Sequence, residues 1–417
     1  MNQNVKKFSI ANFLRKNIIT IVFFLLILVG LILNTQTPYF YTKELINKFV
    51  QYSFFVLALL IPIKAGLGLN FGIVIGAMSG QIGLLISLNK ELSDFSGLLV
   101  AFLFATLISL ILGILSGLII NKAKGHEMIT SLFLGYLANG LYLLILLNLV
   151  GFIIPFSKQY LLNQGIGLVN SIPLDNIFSN SLDNILQINF LVVIIIFSFL
   201  ALLYNLYKFY KKNIKINTIL IFKIVSLFLL ILFSFLILFF NILPNNLLSL
   251  RTLNFPVITG LLILSFALYN KFFNLSKLGK KIENLSFNKD NSSNSSNRKI
   301  RVTAIMLSTI FAAWGQIISL QNIGFLNTYG SHMSTNILPS VMLLVGGASI
   351  YKAKLSNALL GILLFQGFLV ITIPSLNNLI SPNIIGILQT IITNGLLVYG
   401  FIISKKSSKT YTINNIN

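Results

Sequence analysis

Cysteine is missing from this 417-residue chain, and side chains that perform chemistry are scarce. Without cysteine the chain can form no disulfide, hold no metal through a thiolate and use no cysteine nucleophile. Only 8 residues are acidic and only 2 are histidine, and no HExxH spacing occurs, so metal catalysis has little support. The phosphate-binding pattern GxxxxGK[ST] is also absent. We therefore expect a chain that is not an enzyme, hydrolyses no ATP alone and carries no cofactor or metal.

Charge is scarce as well, and apolar residues take its place. Charged residues make up 9% of the chain, hydrophobic residues make up 56%, and the mean hydropathy is +0.90. This composition excludes a soluble globular protein. It predicts an all-α, polytopic integral membrane protein with about 10 to 12 transmembrane helices, some of them short or broken. The candidate spans cover residues 18–33, 49–67, 71–88, 96–120, 128–150, 188–206, 218–243, 256–269, 302–320, 336–350, 356–373 and 383–403.

The basic residues are distributed unevenly between the two sides of these spans. If the amino terminus is cytoplasmic, most of the 30 Lys and Arg residues fall on the cytoplasmic side. This is the positive-inside pattern, so the formal charge of +22 indicates topology and contact with anionic membrane lipids rather than nucleic-acid binding. We expect a multi-pass protein of the cell membrane with both termini in the cytoplasm. Its richness in Ile, Asn, Lys and Phe is typical of a bacterium with an AT-rich genome.

Two long polar interruptions divide the chain. The expected parts are a cytoplasmic amino-terminal segment (1–17), a first membrane region (18–270) with an outer loop (155–187), a cytoplasmic polar loop (271–301), a second membrane region (302–403) and a cytoplasmic tail (404–417). Each membrane region contains a short segment interrupted by glycine: GLGLNFGIVIGA at 66–77 and LLVGGASI at 343–350. Internal repeats with broken helices are common in transporters, so the pair suggests a two-repeat architecture.

The first of these segments has its glycines four residues apart. Residues at that spacing share one face of a helix, and small residues there let a neighbouring helix approach closely. Pro62, Lys64 and Asn70 interrupt the apolar run near its start, as expected where a broken helix faces a cavity lined by protein. The pattern indicates a transport path, and the alternative is tight packing for stability alone. The predicted packing residues are Gly68, Gly72, Gly76 and Gly80.

Three pieces of the sequence resemble a known family. They are IGFLNTYGSHMSTNILPSVMLLVGGASIYKAKLSNALLGILLFQGFLV at 323–370, GLGLNFGIVIGA, and GHEMITSLFLGYLA at 125–138, where His126 stands in place of the usual Asn. Together they resemble permease subunits of ABC importers for ribose, other simple sugars and nucleosides, within the superfamily of branched-chain amino acid permeases. The resemblance implies a helical permease that works with a second permease subunit, ATP-binding subunits and an extracytoplasmic substrate-binding lipoprotein.

The cytoplasmic loop that would couple to the ATPase departs from the family pattern. Relatives carry a short helix rich in glycine and alanine there, whereas residues 277–302 read KLGKKIENLSFNKDNSSNSSNRKIRV. Serine and asparagine favour turns over helix, so coupling through this loop is in question. A second contact is expected where Glu127 begins a helix. The residues expected to contact the ATPase are Gly125, Glu127, Lys277, Gly279 and Lys299.

Polar side chains inside the spans either join helices or line the solute path. We assign Gln366 and Asn394 to helix joining and expect Lys64 and Lys223 to reach toward the interface. Trp314 could stack on a sugar or a base, or pack within the protein. The residues expected along the solute path are Asn70, Phe71, Gln81, Trp314 and Gln316.

The sequence thus favours the membrane-spanning permease of an ATP-driven importer for a nucleoside or a simple sugar. A secondary carrier without an ATPase is one alternative, although no acidic residue lies in the middle of a span, as an ion-coupled relay would need. A membrane component that transports nothing is the other alternative, since the coupling loop is so divergent. Substrate identity and the pairing of permease subunits stay open.

Overall fold

The computed structural model describes residues 17–33, 36–178, 181–212, 218–241, 243–277, 279–282, 295–350, 352–376, 381, 384 and 386–399. The cytoplasmic tail expected at 404–417 and most of the amino-terminal segment lie outside the described residues. So do residues 283–294, the serine- and asparagine-rich part of the polar loop.

The protein is an all-α membrane protein. Six helices are long and apolar enough to cross a membrane, and six shorter apolar helices accompany them within the described residues. In chain order the helices are α1 (Ile18–Ile32), α2 (Pro38–Lys64), α3 (Ile73–Asn89), α4 (Asp94–Lys122), α5 (Glu127–Leu144, continued by a π-turn at Ile145–Leu149), α6 (Leu182–Ile185), α7 (Phe190–Lys212), α8 (Thr218–Phe239), α9 (Asn245–Leu248), α10 (Val257–Phe272), α11 (Ser295–Ile323), α12 (Ser334–Val345), α13 (Leu355–Leu376) and α14 (Gly386–Tyr399).

Two small antiparallel sheets define one end of the bundle, which we name the cap end. Strand β1 (Ser171–Pro173) pairs with β4 (Phe325–Asn327), and β2 (Gln187–Asn189) pairs with β3 (Asn254–Pro256). The sheets join the long connection after α5 to the segments that follow α11 and precede α10. The opposite end, where α2 and α4 finish and α11 begins, is the basic end. A small apolar cluster there joins Ile61, Ile120 and Ile305.

Helix α11 lies at the centre and packs against α2, α3 and α4. Glycine makes this possible because a side chain would collide with the facing backbone. A Cβ added at Gly76 would overlap the carbonyl oxygen of Thr309, and one added at Gly80 would overlap the carbonyl oxygen of Ala313. Glycines of α4 also face α11, with Gly117 against Val302. Small residues on both helices therefore set the α3–α11 distance.

Only two of the four glycines predicted to form a helical face lie in a helix. Helix α3 begins at Ile73, so Gly68 and Gly72 precede it. The reason is local: the Asn70 side-chain oxygen accepts a hydrogen bond from the backbone N–H of Gly72 (3.0 Å), and this turn delays the helix. Gly68 has a φ of +77°, which favours glycine, and its Cα faces Met128.

Several helices extend beyond the spans expected from hydropathy. Helix α2 begins at Pro38, well before residue 49, because Pro38 occupies the first helical position and the Thr37 hydroxyl accepts from the Phe40 N–H (3.4 Å). Helix α11 begins at Ser295, inside the segment assigned to the polar loop. Hydropathy locates apolar windows, whereas capping and polar first turns set the helix ends.

The two glycine segments compared above lie at the same end of the bundle but differ in position. GLGLNFG precedes α3, whereas LLVGG ends α12, and Ile350 lies against Gly68. The turn that matches GLGLNFG is instead Leu326–Gly330, before α12. There the Asn327 side-chain oxygen accepts from the backbone N–H groups of Tyr329 (3.3 Å) and Gly330 (3.0 Å). Two short helices therefore follow asparagine turns and run in opposite directions.

Candidate functional site

A buried polar cluster lies between α3, α5 and the turn before α12; we name it the imidazole cluster. His332 is fully buried, with Nδ1 2.7 Å from Gln81 Oε1 and Nε2 2.7 Å from Asn139 Oδ1. Gln81 also donates from Nε2 to the Asn327 carbonyl (3.4 Å). A neutral imidazole has one N–H, so it donates to one carboxamide and accepts from the other, whereas an imidazolium donates to both. In either state His332 joins α3 to α5.

The aromatic wall of this cluster is Tyr142. Its ring meets the His332 ring edge-on, with 4.9 Å between centroids, and its hydroxyl donates to the Thr328 carbonyl (3.0 Å). A buried phenol with a hydrogen-bonded hydroxyl contributes apolar contact and fixes the turn at the same time. The cluster is therefore closed on this side by protein.

A second polar region, which we name the Asn70 crevice, lies toward the basic end. Its lining consists of Leu67, Leu69, Asn70, Ile120, Glu127, Ser131 and Ile305. Asn70 is 4% exposed, and its Nδ2 has no hydrogen-bond partner, since its Oδ1 alone is used by the Gly72 N–H. The neighbouring Phe71 N–H donates to Ser131 Oγ (3.0 Å). One face of the crevice thus carries a buried donor that is left free.

An ion pair stands beside this crevice and joins the first turn of α5 to the second turn of α11. Arg301 donates from Nη2 to Glu127 Oε1, and the two side chains are 10% and 16% exposed. Nearby, Arg301 Nε and Asn121 Oδ1 are buried without partners. An unpaired buried polar atom costs about 1–3 kcal/mol, so this end of the bundle holds several unfavourable groups close together.

A third polar group, the Asp183 clasp, lies at the cap end. The Asp183 carboxylate accepts from Thr259 Oγ1, from Gln321 Nε2 (2.6 Å) and from Asn322 Nδ2 (2.8 Å). Asn322 in turn accepts from Gln51 Nε2 (2.9 Å), so the clasp connects α6, α10, α11 and α2. Within the described residues, no group of three or more His, Asp or Glu residues is arranged to hold a metal ion.

The cap also holds Tyr329, in the turn that follows β4. Its hydroxyl donates to the Leu168 carbonyl (2.5 Å), and burial raises the pKa of this phenol. The hydroxyl therefore stays protonated and remains a donor at physiological pH. This bond ties the turn before α12 to the long connection between α5 and α6.

The residues expected along the solute path do not form one site. Asn70 and Phe71 belong to the Asn70 crevice region, and Gln81 belongs to the imidazole cluster. Gln316 is buried with its Cβ against Gly80, where α3 meets α11. Trp314 packs elsewhere, between α11 and α4: its Nε1 donates to Thr106 Oγ1 (2.8 Å) and its ring meets Phe102 and Phe311 edge-on.

The residues expected to contact an ATPase lie at the basic end, in different settings. Lys277 and Lys299 are exposed, and Gly125 stands in open space with a φ of +83°. The Gly279 N–H donates to Ser276 Oγ (2.9 Å). Glu127 differs, because its carboxylate turns inward to Arg301 rather than outward.

Of the two polar residues assigned to helix joining, Gln366 makes an interhelical contact, whereas Asn394 is exposed. Gln366 of α13 places Nε2 4.0 Å from Met342 Sδ of α12. Lys64 donates to the Asn270 carbonyl (2.8 Å) and so joins α2 to α10. Lys64 thus bonds to a neighbouring helix.

Sequence analysis missed His332, Asn139 and Arg301. In the sequence His332 has no metal-ligand spacing and Arg301 ends the basic polar segment (271–301), so neither stands out. Asn139 did carry a signal, since it is a polar residue inside the apolar run of α5.

No family model, no curated protein and no solved structure matches this chain. The resemblance to importer permeases therefore depends on the three sequence pieces quoted above.

Proposed function

We propose that this chain is the membrane-spanning permease of an ATP-driven importer that moves a nucleoside or a simple sugar. The observation that supports it best is the pair of short helices α3 and α12, which run in opposite directions and follow asparagine turns. Gln81 of α3 donates a hydrogen bond to the carbonyl of Asn327 in the turn that precedes α12. Discontinuous helices with polar groups at the break are typical of substrate sites in transporters. The resemblance to sugar and nucleoside permeases agrees with this arrangement.

The chemistry of the interior favours an uncharged solute. The polar side chains nearest the breaks include buried Asn70, Gln81 and His332 and half-buried Asn139, none of which carries a fixed charge. The two charges beside the Asn70 crevice, Glu127 and Arg301, pair with each other. A charged solute in a low-dielectric interior needs a compensating charge, whereas carboxamides and an imidazole suit hydroxyl and carbonyl groups. Sugars and nucleosides offer such groups.

The proposal includes partners and an orientation. ATP is hydrolysed by a separate ATP-binding subunit at the basic end, a second permease subunit completes the pathway, and an extracytoplasmic lipoprotein delivers the solute at the cap end. The chain lies in a bacterial cell membrane with the basic end in the cytoplasm, where its lysines and arginines also contact anionic lipid headgroups.

The test is reconstitution of the purified chain with a candidate ATP-binding subunit and a second permease subunit in liposomes. We expect uptake of radiolabelled adenosine or ribose that requires ATP, and we expect deletion of residues 286–293 to lower solute-stimulated ATP hydrolysis. An equally long deletion at 410–417 is the matched control and leaves hydrolysis unchanged.

The rival function is an ion-coupled secondary carrier, and His332 is the observation in its favour, because it is a titratable group buried between two helices. Uptake driven by a proton gradient in liposomes that contain this chain alone would replace the importer proposal with the carrier.

A further inference from the structure

The amide nitrogen of Asn70 is the least explained polar atom beside the proposed path. The Oδ1 of the same side chain accepts from the Gly72 N–H and fixes the amide before α3. Rotation of the amide would break that hydrogen bond. The crevice in front of it leaves no room for a water molecule in this conformation. Buried donors in folded proteins almost always have partners, so a missing partner indicates one that comes from another conformation or from a ligand.

The lining of the Asn70 crevice restricts what that partner can be. Asn70 Nδ2 can only donate, and Glu127, which lines the same crevice, is a carboxylate that accepts when ionised. The charges of Glu127 and Arg301 compensate each other, so the crevice has no net charge with which to hold an anion, and a cation cannot accept from Nδ2. A hydroxyl group can accept from Asn70 Nδ2 and donate to Glu127. The four apolar residues of the lining suit the C–H face of a sugar ring.

We infer that the Asn70 crevice binds a hydroxyl group of an uncharged polyhydroxylated solute, and that the Glu127–Arg301 ion pair closes it at the basic end. The inference rests on the proposed function, since it places the solute on its way through the permease. Opening requires the first turn of α5 and the second turn of α11 to separate, because Glu127 and Arg301 belong to those turns. Separation also exposes Arg301 Nε and Asn121 Oδ1, which are unpaired in the closed form.

The absence of cysteine allows a direct test. Ser131 lines the crevice, and Ser131→Cys introduces a single thiol there. We expect slow reaction of this thiol with a water-soluble maleimide in the otherwise unchanged chain. Adding Arg301→Gln or Glu127→Gln is expected to speed the reaction about tenfold by populating the open form. The charge exchange Glu127→Arg with Arg301→Glu is expected to slow it again.

Protection by solutes then tests the hydroxyl site. In the Ser131→Cys, Arg301→Gln chain, D-ribose and adenosine are expected to slow maleimide labelling, whereas L-leucine is not. Adding Asn70→Asp keeps the oxygen that caps Gly72 and removes the donor, so protection is expected to disappear. Should the aspartate prevent folding, Asn70→Ser is a second, uncharged variant: its hydroxyl oxygen can cap the Gly72 N–H, and its side chain is one atom too short to place a donor where the Asn70 amide nitrogen lies.

The matched control is Asn336→Asp, the same substitution at another buried asparagine, one that lies in α12. If a buried charge alone disturbed the protein, protection would be lost in both variants. If the solute binds at Asn70, protection is lost in Asn70→Asp only. The inference would be overturned if Arg301→Gln and Glu127→Gln left the rate of maleimide labelling unchanged. It would also be overturned if ribose still protected the thiol in both Asn70 variants.

This experiment uses the purified chain without ATP, so its outcome is separate from that of the importer proposal. ATP-driven uptake without protection at Ser131 would remove the crevice site and leave the importer. Protection by ribose without any ATP-driven uptake would retain the site and remove the importer.

Discussion

The imidazole cluster and the Asn70 crevice are built from similar parts but differ in how completely those parts are paired. Both polar atoms of Gln81 and both ring nitrogens of His332 have partners. In the crevice region, Asn70 Nδ2, Asn121 Oδ1 and Arg301 Nε have none. A paired cluster is complete without a ligand and holds helices in place, whereas unpaired groups mark the region that changes conformation or binds.

The two asparagine turns show the same contrast. Asn70 and Asn327 both use a side-chain oxygen to accept backbone N–H groups before a short helix. Asn327 is also the last residue of strand β4, which pairs with β1, and its carbonyl accepts from Gln81, so its turn is bound on several sides. Asn70 lacks such support on its amide nitrogen. Similar local chemistry thus produces a fixed turn at the cap end and an incomplete one at the basic end.

We expect the largest effect on assembly from a substitution where α3 packs against α11, because both polar regions depend on this contact. Gly76→Leu places a side chain where the Thr309 carbonyl lies and pushes α3 away from α11, which carry Gln81 and Arg301 respectively. We expect loss of monodisperse protein after detergent extraction, measured by size-exclusion chromatography.

Gly140→Leu is the matched control, because Gly140 lies in α5 with open space around its Cα. We expect normal yield from it. Leu84 and Leu85, which lie further along α3, are buried and are therefore unsuitable as controls. Normal yield from Gly76→Leu would mean that α3 and α11 do not need their close contact.

The second prediction assigns the two regions to sides of the membrane. Lys124 and Lys158 are exposed, one at the basic end beside the crevice and one at the cap end. In separate variants, Lys158→Cys is expected to react with a membrane-impermeant maleimide in intact cells, and Lys124→Cys is expected to react only after the cells are opened. The reverse result would place the crevice on the outside and would make it an entrance.

Much of the fold follows from the sequence, while most of the site does not. Each expected span coincides with an apolar helix because a span needs a long apolar stretch, whatever its partners. The start of α3 could not be located, since the Asn70 turn breaks a glycine spacing that is otherwise regular. His332 contacts Gln81 and Asn139, both more than a hundred positions away, and no local pattern encodes such a contact.

The third prediction tests whether the imidazole cluster is structural. His332→Ala removes a partner of Gln81 and of Asn139. The buried Gln81 oxygen left unpaired is expected to cost about 1–3 kcal/mol, and the half-buried Asn139 less, because solvent can replace its partner. We expect a clear fall in melting temperature, measured by monitoring the fluorescence of Trp314. His126→Ala is the control, since His126, the other histidine, is exposed and makes no side-chain capping bond. An unchanged melting temperature together with lost ribose protection at Ser131 would move the solute site into this cluster.

The smallest effect is expected at the Asp183 clasp, which is paired like the imidazole cluster but partly exposed. Asp183→Asn keeps the shape of the side chain but replaces one carboxylate oxygen by an NH2 group. A donor then faces the donors of Gln321 and Asn322 in place of an acceptor. Because solvent can replace part of the lost bonding, we expect a loss of about 1–2 kcal/mol, seen as a small fall in melting temperature. Asp175→Asn, at an exposed aspartate of the same cap, is expected to leave it unchanged. If the two variants had the same melting temperature, the clasp would add nothing to stability. Complete hydrogen bonding would then no longer distinguish a cluster that stabilises the fold from a site that binds solute.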